Sequence, residues 1–356
     1  MPWSHHRNDT PTFIWDNDSL LRAEWLFLSE TGLVSGMAGH LSNPGQSEFM
    51  VRLLRDDIVA NIEIDGESLH PEGVACCIRR RLGLSFAQNC GTRAEMIAAE
   101  MAVAISANYN EPFSQGRLER WRTAFLERGE GALFRFAPNH SGVLKTEQRE
   151  ELERFKHWYN NLPLDFAESP LLSAALAHLW FESIYPAPEG TGILGRIVAE
   201  KLILRHSPGH VFIPLCLVFH RYRNEYHRIL DWACRDRDAT GWIRWFAAKV
   251  IEAVRLQRAL MEFAVARERV LGGELGVLSG DERVVLDSLF DRGLTCPGIG
   301  AREFSRLLSL PMAGTKRVLG GLVSRGMIVR GARGNAIRYH LQTPQLPKTI
   351  KPEDIA

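Results

Sequence analysis

Apolar residues recur with a helical period over most of the first 270 positions. Leu20, Leu21, Trp25, Leu26 and Leu28 fall on one side of the stretch 18–31, which predicts a helix. From 48 to 84 the pattern predicts two helices parted at Asp65-Gly66. His70-Pro71-Glu72 opens the second and Gly83 closes it, since proline suits a first helical turn and glycine the position past the last. Further helices are predicted over 93–108, 112–126, 146–160, 170–184 and 192–204, and two longer ones over 214–236 and 239–271. One place departs from this period. The stretch 129–142 is bounded by glycines and holds a short apolar core at 132–136, which predicts a hairpin.

Beyond the glycine-rich 272–276 the pattern changes to three helices and a hairpin. Helices are predicted over 281–291 and 301–308, then, after the turn at Ser309-Leu310-Pro311, up to Ser324, with Gly326 as the stop. Strands over 327–330 and 336–341 pair around 331–335. That is the order of a winged helix-turn-helix. The predicted division is an N-terminal helical region 1–90, a helical core 91–271, a linker 272–278, a winged helix 279–342 and a tail 343–356, with no internal repeat. The fold class is therefore mainly α, with an α+β module at the C-terminal end.

Composition adds little until it is divided. The 356 residues are 45% apolar and 24% charged with a formal net charge of +1, which excludes disordered and fibrous classes. Segment 279–342, however, carries ten basic and five acidic side chains, a net +5, against a net −4 for 1–278. Neutrality is thus the sum of a basic module and a mildly acidic body. The longest apolar run, 211–219, is interrupted by Pro214 and falls far short of the roughly 20 residues of a membrane helix. No basic patch leads into an apolar stretch at Met1-Pro2-Trp3-Ser4, so no secretory leader and no membrane are expected. Six cysteines without a CxxC read as reduced thiols of a cytoplasmic protein, with neither a disulfide frame nor a zinc site.

The segment that carries chemistry is His178-Leu-Trp-Phe-Glu-Ser-Ile-Tyr-Pro-Ala-Pro-Glu-Gly-Thr-Gly-Ile-Leu-Gly-Arg196. A helix runs into an acidic, glycine-rich loop, and the next helix starts directly from Gly190-Thr191-Gly192. Such a start leaves backbone N–H groups unpaired at the positive end of the helix dipole, which suits a phosphate. Glu189 is then a candidate Mg²⁺ ligand, and Arg196, one turn in, a candidate counter-charge. Taken alone, a GxG with a nearby arginine equally describes an ordinary helix-loop-helix corner.

The segment resembles the signature of the Fic family (filamentation induced by cAMP), HxxFExIHPFxDGNGRxxR. His178, Phe181, Glu182, Ile184, Pro186, Gly190, Gly192 and Arg196 match, and Glu189 replaces the acidic position conservatively. The resemblance runs along the chain through the Trp-containing start, 58–84, Tyr109-Asn-Glu-Pro-Phe-Ser, Asp238-Ala-Thr-Gly-Trp-Ile-Arg-Trp-Phe246 and the winged helix. It points to the subgroup with an N-terminal inhibitory helix and a C-terminal DNA-binding-like domain. It implies a Fic-type helical bundle with a short β-hairpin flap, and ATP with Mg²⁺ as cofactors for adenylylation of protein hydroxyls. Bacterial origin comes with the family.

Four signature positions depart. Tyr185 stands where the family has its catalytic histidine; an ordinary phenol, with pKa about 10, is ionised to roughly one part in a thousand at pH 7. Losing a placed base costs on the order of 10²- to 10⁴-fold in rate. Ala187 replaces the family phenylalanine, Thr191 the asparagine at the α-phosphate, and Ile193 the first arginine. His178 and His206 lie near in sequence, but His178 matches a structural position of the signature. The family's inhibitory (S/T)xxxE(G/N) helix matches Asn61-Ile-Glu-Ile-Asp65-Gly66. Asp65 is one methylene shorter than glutamate, so an ion pair with Arg196 is expected with reduced reach, and Glu63 and Glu67 read as solvated charges. The flap candidate, 132–142, is short.

These readings converge on a pseudoenzyme: a Fic-fold body without adenylyl transfer, nucleotide binding at Gly190, Thr191, Gly192 and Arg196 left open, coupled to a DNA- or partner-binding winged helix. Two alternatives stay open, an active nucleotidyl transferase with a different base, and a transcriptional or toxin–antitoxin-like regulator on a scaffold body. In the winged helix, Thr315, Lys316 and Arg317 are expected at the exposed start of the recognition helix, with Leu319, Leu322 and Val323 facing inward. Arg330, Arg333 and Arg338 on the wing are candidates for phosphate contacts. DNA, a protein target and a second copy of the chain remain the candidate partners.

Overall fold

A computed structural model describes residues 12–16, 20–86, 90–114, 116–117, 120–121, 146–162, 169–184, 191–207, 209, 211–236, 238–272, 277–294, 296–333, 336–342 and 348–355. It holds two units, one of residues 1–36, 50–255 and 349–356 and the other of 37–49 and 256–348. Among the described residues, ten helices precede the glycine-rich stretch: α1 (Leu21–Ala38), α2 (Asn43–Ile64), α3 (Pro71–Arg81), α4 (Arg93–Ala107), α5 (Thr146–Asn160), α6 (Pro170–Ile184), α7 (Thr191–His206), α8 (Leu215–Arg221), α9 (Arg223–Arg235) and α10 (Thr240–Leu271). The predicted hairpin at 132–142 and most of the predicted helix 112–126 lie outside the described residues.

The first unit is built around α6. Twelve consecutive residues, 170–181, are buried, the mark of a helix surrounded by others rather than lying on a surface. It packs on α5, α7 and α9, while α4 packs on α3 and α7. The first turn of α6 is capped from a distance. Glu24 of α1 accepts hydrogen bonds from the N–H groups of Leu171 (3.0 Å) and Leu172 (3.3 Å), two donors that a helix start otherwise leaves unpaired. Burial of that carboxyl pushes its pKa up to about 8. Trp242 of α10 donates its indole N–H to the Ala175 carbonyl at 2.8 Å and stacks with Trp245.

The second unit contains the basic module: α11 (Gly280–Asp291), β1 (Ile299–Gly300), α12 (Ala301–Leu307), α13 (Met312–Ser324), β2 (Ile328–Arg333) and β3 (Ala336–Leu341). The three strands form an antiparallel sheet in the order β1-β3-β2, with register Ile299↔Tyr339 and Ile328↔Leu341 through Arg333↔Ala336. Leu286, Leu289, Phe290, Phe304, Leu319 and Ile328 form its core. Three helices with this sheet match the predicted winged helix. The units part at Leu256, inside α10, rather than at 272–278, because the end of α10 packs in the second unit: Phe263 meets Phe290 edge-on at 5.3 Å and Arg267 pairs with Asp291 at 3.1 Å.

Several expectations are corrected. The helix predicted over 214–236 is two, α8 and α9, parted at Tyr222, whose apolar pattern continues across the break and so hides it. β1 was not expected; two residues are too few to show alternation. β2 extends through Arg333, three residues past its predicted end. Cys76 and Cys90 form a disulfide, with Cα atoms 5.6 Å apart, where six reduced thiols were expected. Cys77, Cys216, Cys234 and Cys296 are free.

Candidate functional site

The side chains that meet at the centre of the first unit come from four helices. α2 supplies Asp57 and Asn61, with Asp65 one residue past its end. These are four apart, so they share one face. α7 presents Arg196 and Glu200 at the same spacing, α6 brings His178 and Glu182, and α9 brings Tyr226.

Arg196 is the hub. Its side chain is 0% exposed, and each of its three guanidinium nitrogens meets a partner. Nε donates to Asn61 Oδ1 at 2.7 Å, Nη2 to the Asn61 carbonyl at 3.0 Å, and Nη1 to the Tyr226 hydroxyl at 3.2 Å. Asp65 Oδ2 pairs with Nη2 at 3.0 Å. The shorter side chain at 65 therefore reaches. The Tyr226 ring lies under the guanidinium at 5.6 Å, a cation–π contact. Gly66 follows with φ +90°, a left-handed conformation that glycine adopts without strain and that turns the chain away once Asp65 is placed.

The Asp65 carboxylate also sits at the start of α7. A Cβ on Gly192 would stand 3.2 and 3.3 Å from its two oxygens and 2.9 Å from Arg196 Nη1, so only glycine lets the helix start approach this closely. The positive end of α7 thus faces an anion supplied by the chain itself. In this arrangement the described residues do not favour a nucleotide phosphate, because four of the five N–H groups of Arg196 already face an acceptor and Asp65 holds negative charge at the start of α7. Ile193, where the resembling signature has an arginine, is fully buried.

Around this hub lie His178 and Glu182, which the signature named, together with Tyr226, Asp57 and Glu200, which the sequence did not single out. The Tyr226 hydroxyl accepts from Arg196 and lies 2.9 Å from His178 Nε2, to which it can donate its own proton. Burial, then the charge of Arg196, pushes the His178 pKa down to about 3, so the ring is neutral. It is packed between Phe219, Tyr226 and Trp242. This is a core histidine and not a relocated base. Burial raises Glu182 to about 8 against the opposing pull of Arg196, and its Oε1 has no hydrogen-bond partner among the described residues. One turn beyond Arg196, Glu200 Oε1 accepts from the Cys216 thiol at 3.0 Å, while Asp57 Oδ1 accepts the Leu217 N–H at 3.1 Å. Both carboxyls are raised, by burial first, and Asp57 additionally by the charge of Glu200. The signal for these residues was present, a polar residue every fourth position on otherwise apolar helices; Tyr226, in a helix rich in charge, gave none.

Tyr185, Glu189 and Gly190 lie outside the described residues, and Thr191 is described only as the first residue of α7. Glu63 lies 3.6 Å from His220 Nε2. In the second unit, Lys316, Arg317 and Arg330 are exposed, and Arg333 is the last residue of β2. Thr315 is corrected: it is fully buried and donates to the Pro311 carbonyl at 3.2 Å. Its position one turn into α13 turns it onto the core, so it cannot face a groove. Val323 is exposed, leaving Leu319 and Leu322 as the inward face. Arg338 donates to the Gly298 carbonyl at 2.8 Å and so serves the junction of β1 and β3. Among the described residues no helix is long and apolar enough to cross a membrane.

A family model described as a domain of unknown function, DUF4172, matches residues 3–84. No curated protein matches the chain. Among solved structures, the chain is similar to a Fic family protein from Desulfovibrio desulfuricans G20, determined at 2.70 Å, with 18% identity, a TM-score of 0.47, and coverage of 90% of this chain and 96% of that one.

Proposed function

We propose that this chain is a Fic-like protein that does not transfer adenylyl groups, whose phosphate-side arginine is held closed by its own N-terminal helix, and whose winged helix contacts DNA. The observation that carries the reading is the closure of Arg196, fully buried with three hydrogen bonds and an ion pair, two of its partners being Asn61 and Asp65. Those are the positions at which the signature resemblance places an inhibitory motif. The absence of a histidine base at Tyr185 and of an arginine at Ile193 supports loss of transfer rather than restraint alone, since freeing Arg196 restores neither.

Calorimetry with ATP and Mg²⁺ tests the closure. The wild-type chain is expected to bind at least about ten-fold more weakly than Asn61→Ala/Asp65→Ala, the equivalent of 1.4 kcal/mol. Equal affinity in both would refute restraint by α2. Binding by neither would make the body a scaffold, the regulator reading. That reading draws on the net +5 of 279–342 and on the exposure of Lys316, Arg317 and Arg330. A gel shift on the gene's own promoter region at two salt concentrations tests it. Affinity is expected to fall steeply with salt, and no shift at low salt would remove the DNA role.

A further inference from the structure

Segment 349–356 follows the whole second unit in the chain, yet it belongs to the first. Its main hold is on the backbone of one residue. Glu252 Oε2 accepts the Ile350 N–H at 3.2 Å, and Lys249 Nζ donates to the Ile350 carbonyl at 3.1 Å. Lys249 and Glu252, three residues apart on α10, are 3% and 0% exposed and pair with each other at 3.4 Å. The Lys249 ammonium also lies over the Tyr222 ring at 3.7 Å, a cation–π contact. Glu252 Oε1 is satisfied separately, by Arg221 Nη1 and the Tyr222 hydroxyl, each at 3.1 Å. Having given its proton to Glu252, the Tyr222 hydroxyl accepts from Thr349 Oγ1 at 2.7 Å. Apolar anchors stand at Ile350 and Ile355, both buried. Between them a single 3₁₀ turn, Pro352–Asp354, spends the segment's charges internally: the Lys351 N–H donates to Asp354 Oδ2 at 2.9 Å, and Lys351 Nζ lies 3.8 Å from Glu353.

We propose that Tyr222, at the break between α8 and α9, forms with Lys249 and Glu252 of α10 a peptide-binding groove whose ligand is 349–355, held as a detachable latch. The recognition is of main chain. A buried ion pair is costly unless its remaining hydrogen-bonding capacity is filled, and one backbone residue fills both halves, its N–H toward the carboxylate and its C=O toward the ammonium. Selectivity comes from the two isoleucines five positions apart and from the hydroxyl of Thr349. Detachment follows from how little else engages the segment. Its described hydrogen bonds to the helices all fall at Thr349 and Ile350, so three hydrogen bonds and two buried isoleucines are set against the ordering entropy of seven residues, and such segments open at low free energy. The latch can leave without unfolding the helices that receive it, and a second peptide of the same sequence can take its place.

The test uses the full chain and a synthetic peptide of residues 347–356 carrying fluorescein. The latch is released in Ile350→Ser/Ile355→Ser, which leaves every groove residue in place. Fluorescence anisotropy is expected to show saturable binding of the peptide to this variant below about 1 mM, and binding at least about ten-fold weaker to the wild type, whose own segment competes at an effective concentration on the order of millimolar. Adding Glu252→Gln to the released variant should weaken the peptide about ten-fold, as for loss of a hydrogen bond to a charged group. A measurement independent of variant folding is deuterium uptake in the wild-type chain, followed by mass spectrometry. Excess ¹³C,¹⁵N-labelled peptide should speed uptake at the chain's own 349–355, while a peptide with serine at both isoleucine positions should not. No saturable binding to the released variant, equal affinity for the released variant and the wild type, or uptake unaltered by the labelled peptide would each overturn the proposal.

Discussion

Asp65→Asn removes one charge from the Arg196 cluster while keeping its shape. The wild-type pair has a 3.0 Å contact between a guanidinium that is 0% exposed and a carboxylate that is 12% exposed. Breaking a pair of this burial costs about 3–5 kcal/mol, because the surviving charge is left without its counter-ion. The lower end applies, since Arg196 keeps Asn61 Oδ1, the Asn61 carbonyl and Tyr226; the expected loss is about 3 kcal/mol. The tryptophans among the described residues all fall in the first unit, so urea unfolding followed by tryptophan fluorescence reports this unit. With a slope of about 3 kcal/mol/M the midpoint should drop by about 1 M. Arg196→Met is expected to cost a similar amount, and the double variant less than the sum, with a coupling energy of about 2 kcal/mol. An Asp65→Asn loss under about 1 kcal/mol with coupling near zero, as for surface pairs, would refute the closed arginine.

Three further outcomes are expected. Reducing the Cys76–Cys90 disulfide, or replacing both cysteines with serine, should lower the stability of the first unit by about 3 kcal/mol, the loop-closure effect of a 14-residue separation; identical urea midpoints with and without reductant would exclude the bond. Glu24 and Glu182 have folded pKa values near 8 against an ordinary 4.5, so each favours the folded state at low pH and loses that contribution as pH rises through 8. Stability should therefore fall between pH 6.5 and 8, by up to about 1.4 kcal/mol per pH unit for each carboxyl, and Glu24→Gln should flatten the slope. Below pH 6.5 the neutral His178 works in the opposite sense, because the unfolded chain takes a proton that the core does not. Lys316→Ala and Arg317→Ala should each reduce the salt dependence of DNA binding by about one unit of slope, measured by fluorescence anisotropy; an unchanged slope would place the contact elsewhere.

Much of the scaffold was legible in the chain. The bounds of α5 and α6 follow from their apolar period and flanking residues alone, and the breaks at Gly66 and Gly83 from turn chemistry. What was not legible depends on contacts between distant segments. The interruption at Tyr222 and the two-residue β1 exist because of what packs on them, and Cys76, midway along α3, finds Cys90 only once α3 packs on α4. At the site, the signature spacing located Arg196 and its partners Asn61 and Asp65. It did not reveal that Asn61 would hold Arg196 by both its side chain and its carbonyl, nor that Tyr226, thirty residues on, would join Arg196 to His178. Thr315 was misplaced for a simpler reason: a polar residue at a helix start reads as exposed, and its hydroxyl is instead satisfied by the carbonyl four residues earlier.

The central claim is that the chain has lost adenylyl transfer and not merely paused it. The most direct measurement is transfer of label from α-³²P ATP with Mg²⁺ to proteins of a bacterial lysate, run with the wild-type chain, Asn61→Ala/Asp65→Ala, Tyr185→His and Arg196→Ala. No transfer is expected from any of them, Tyr185→His included, because Thr191 and Ile193 still differ from the resembling signature. Label appearing with the wild-type or the α2 variant and disappearing with Arg196→Ala would contradict the account.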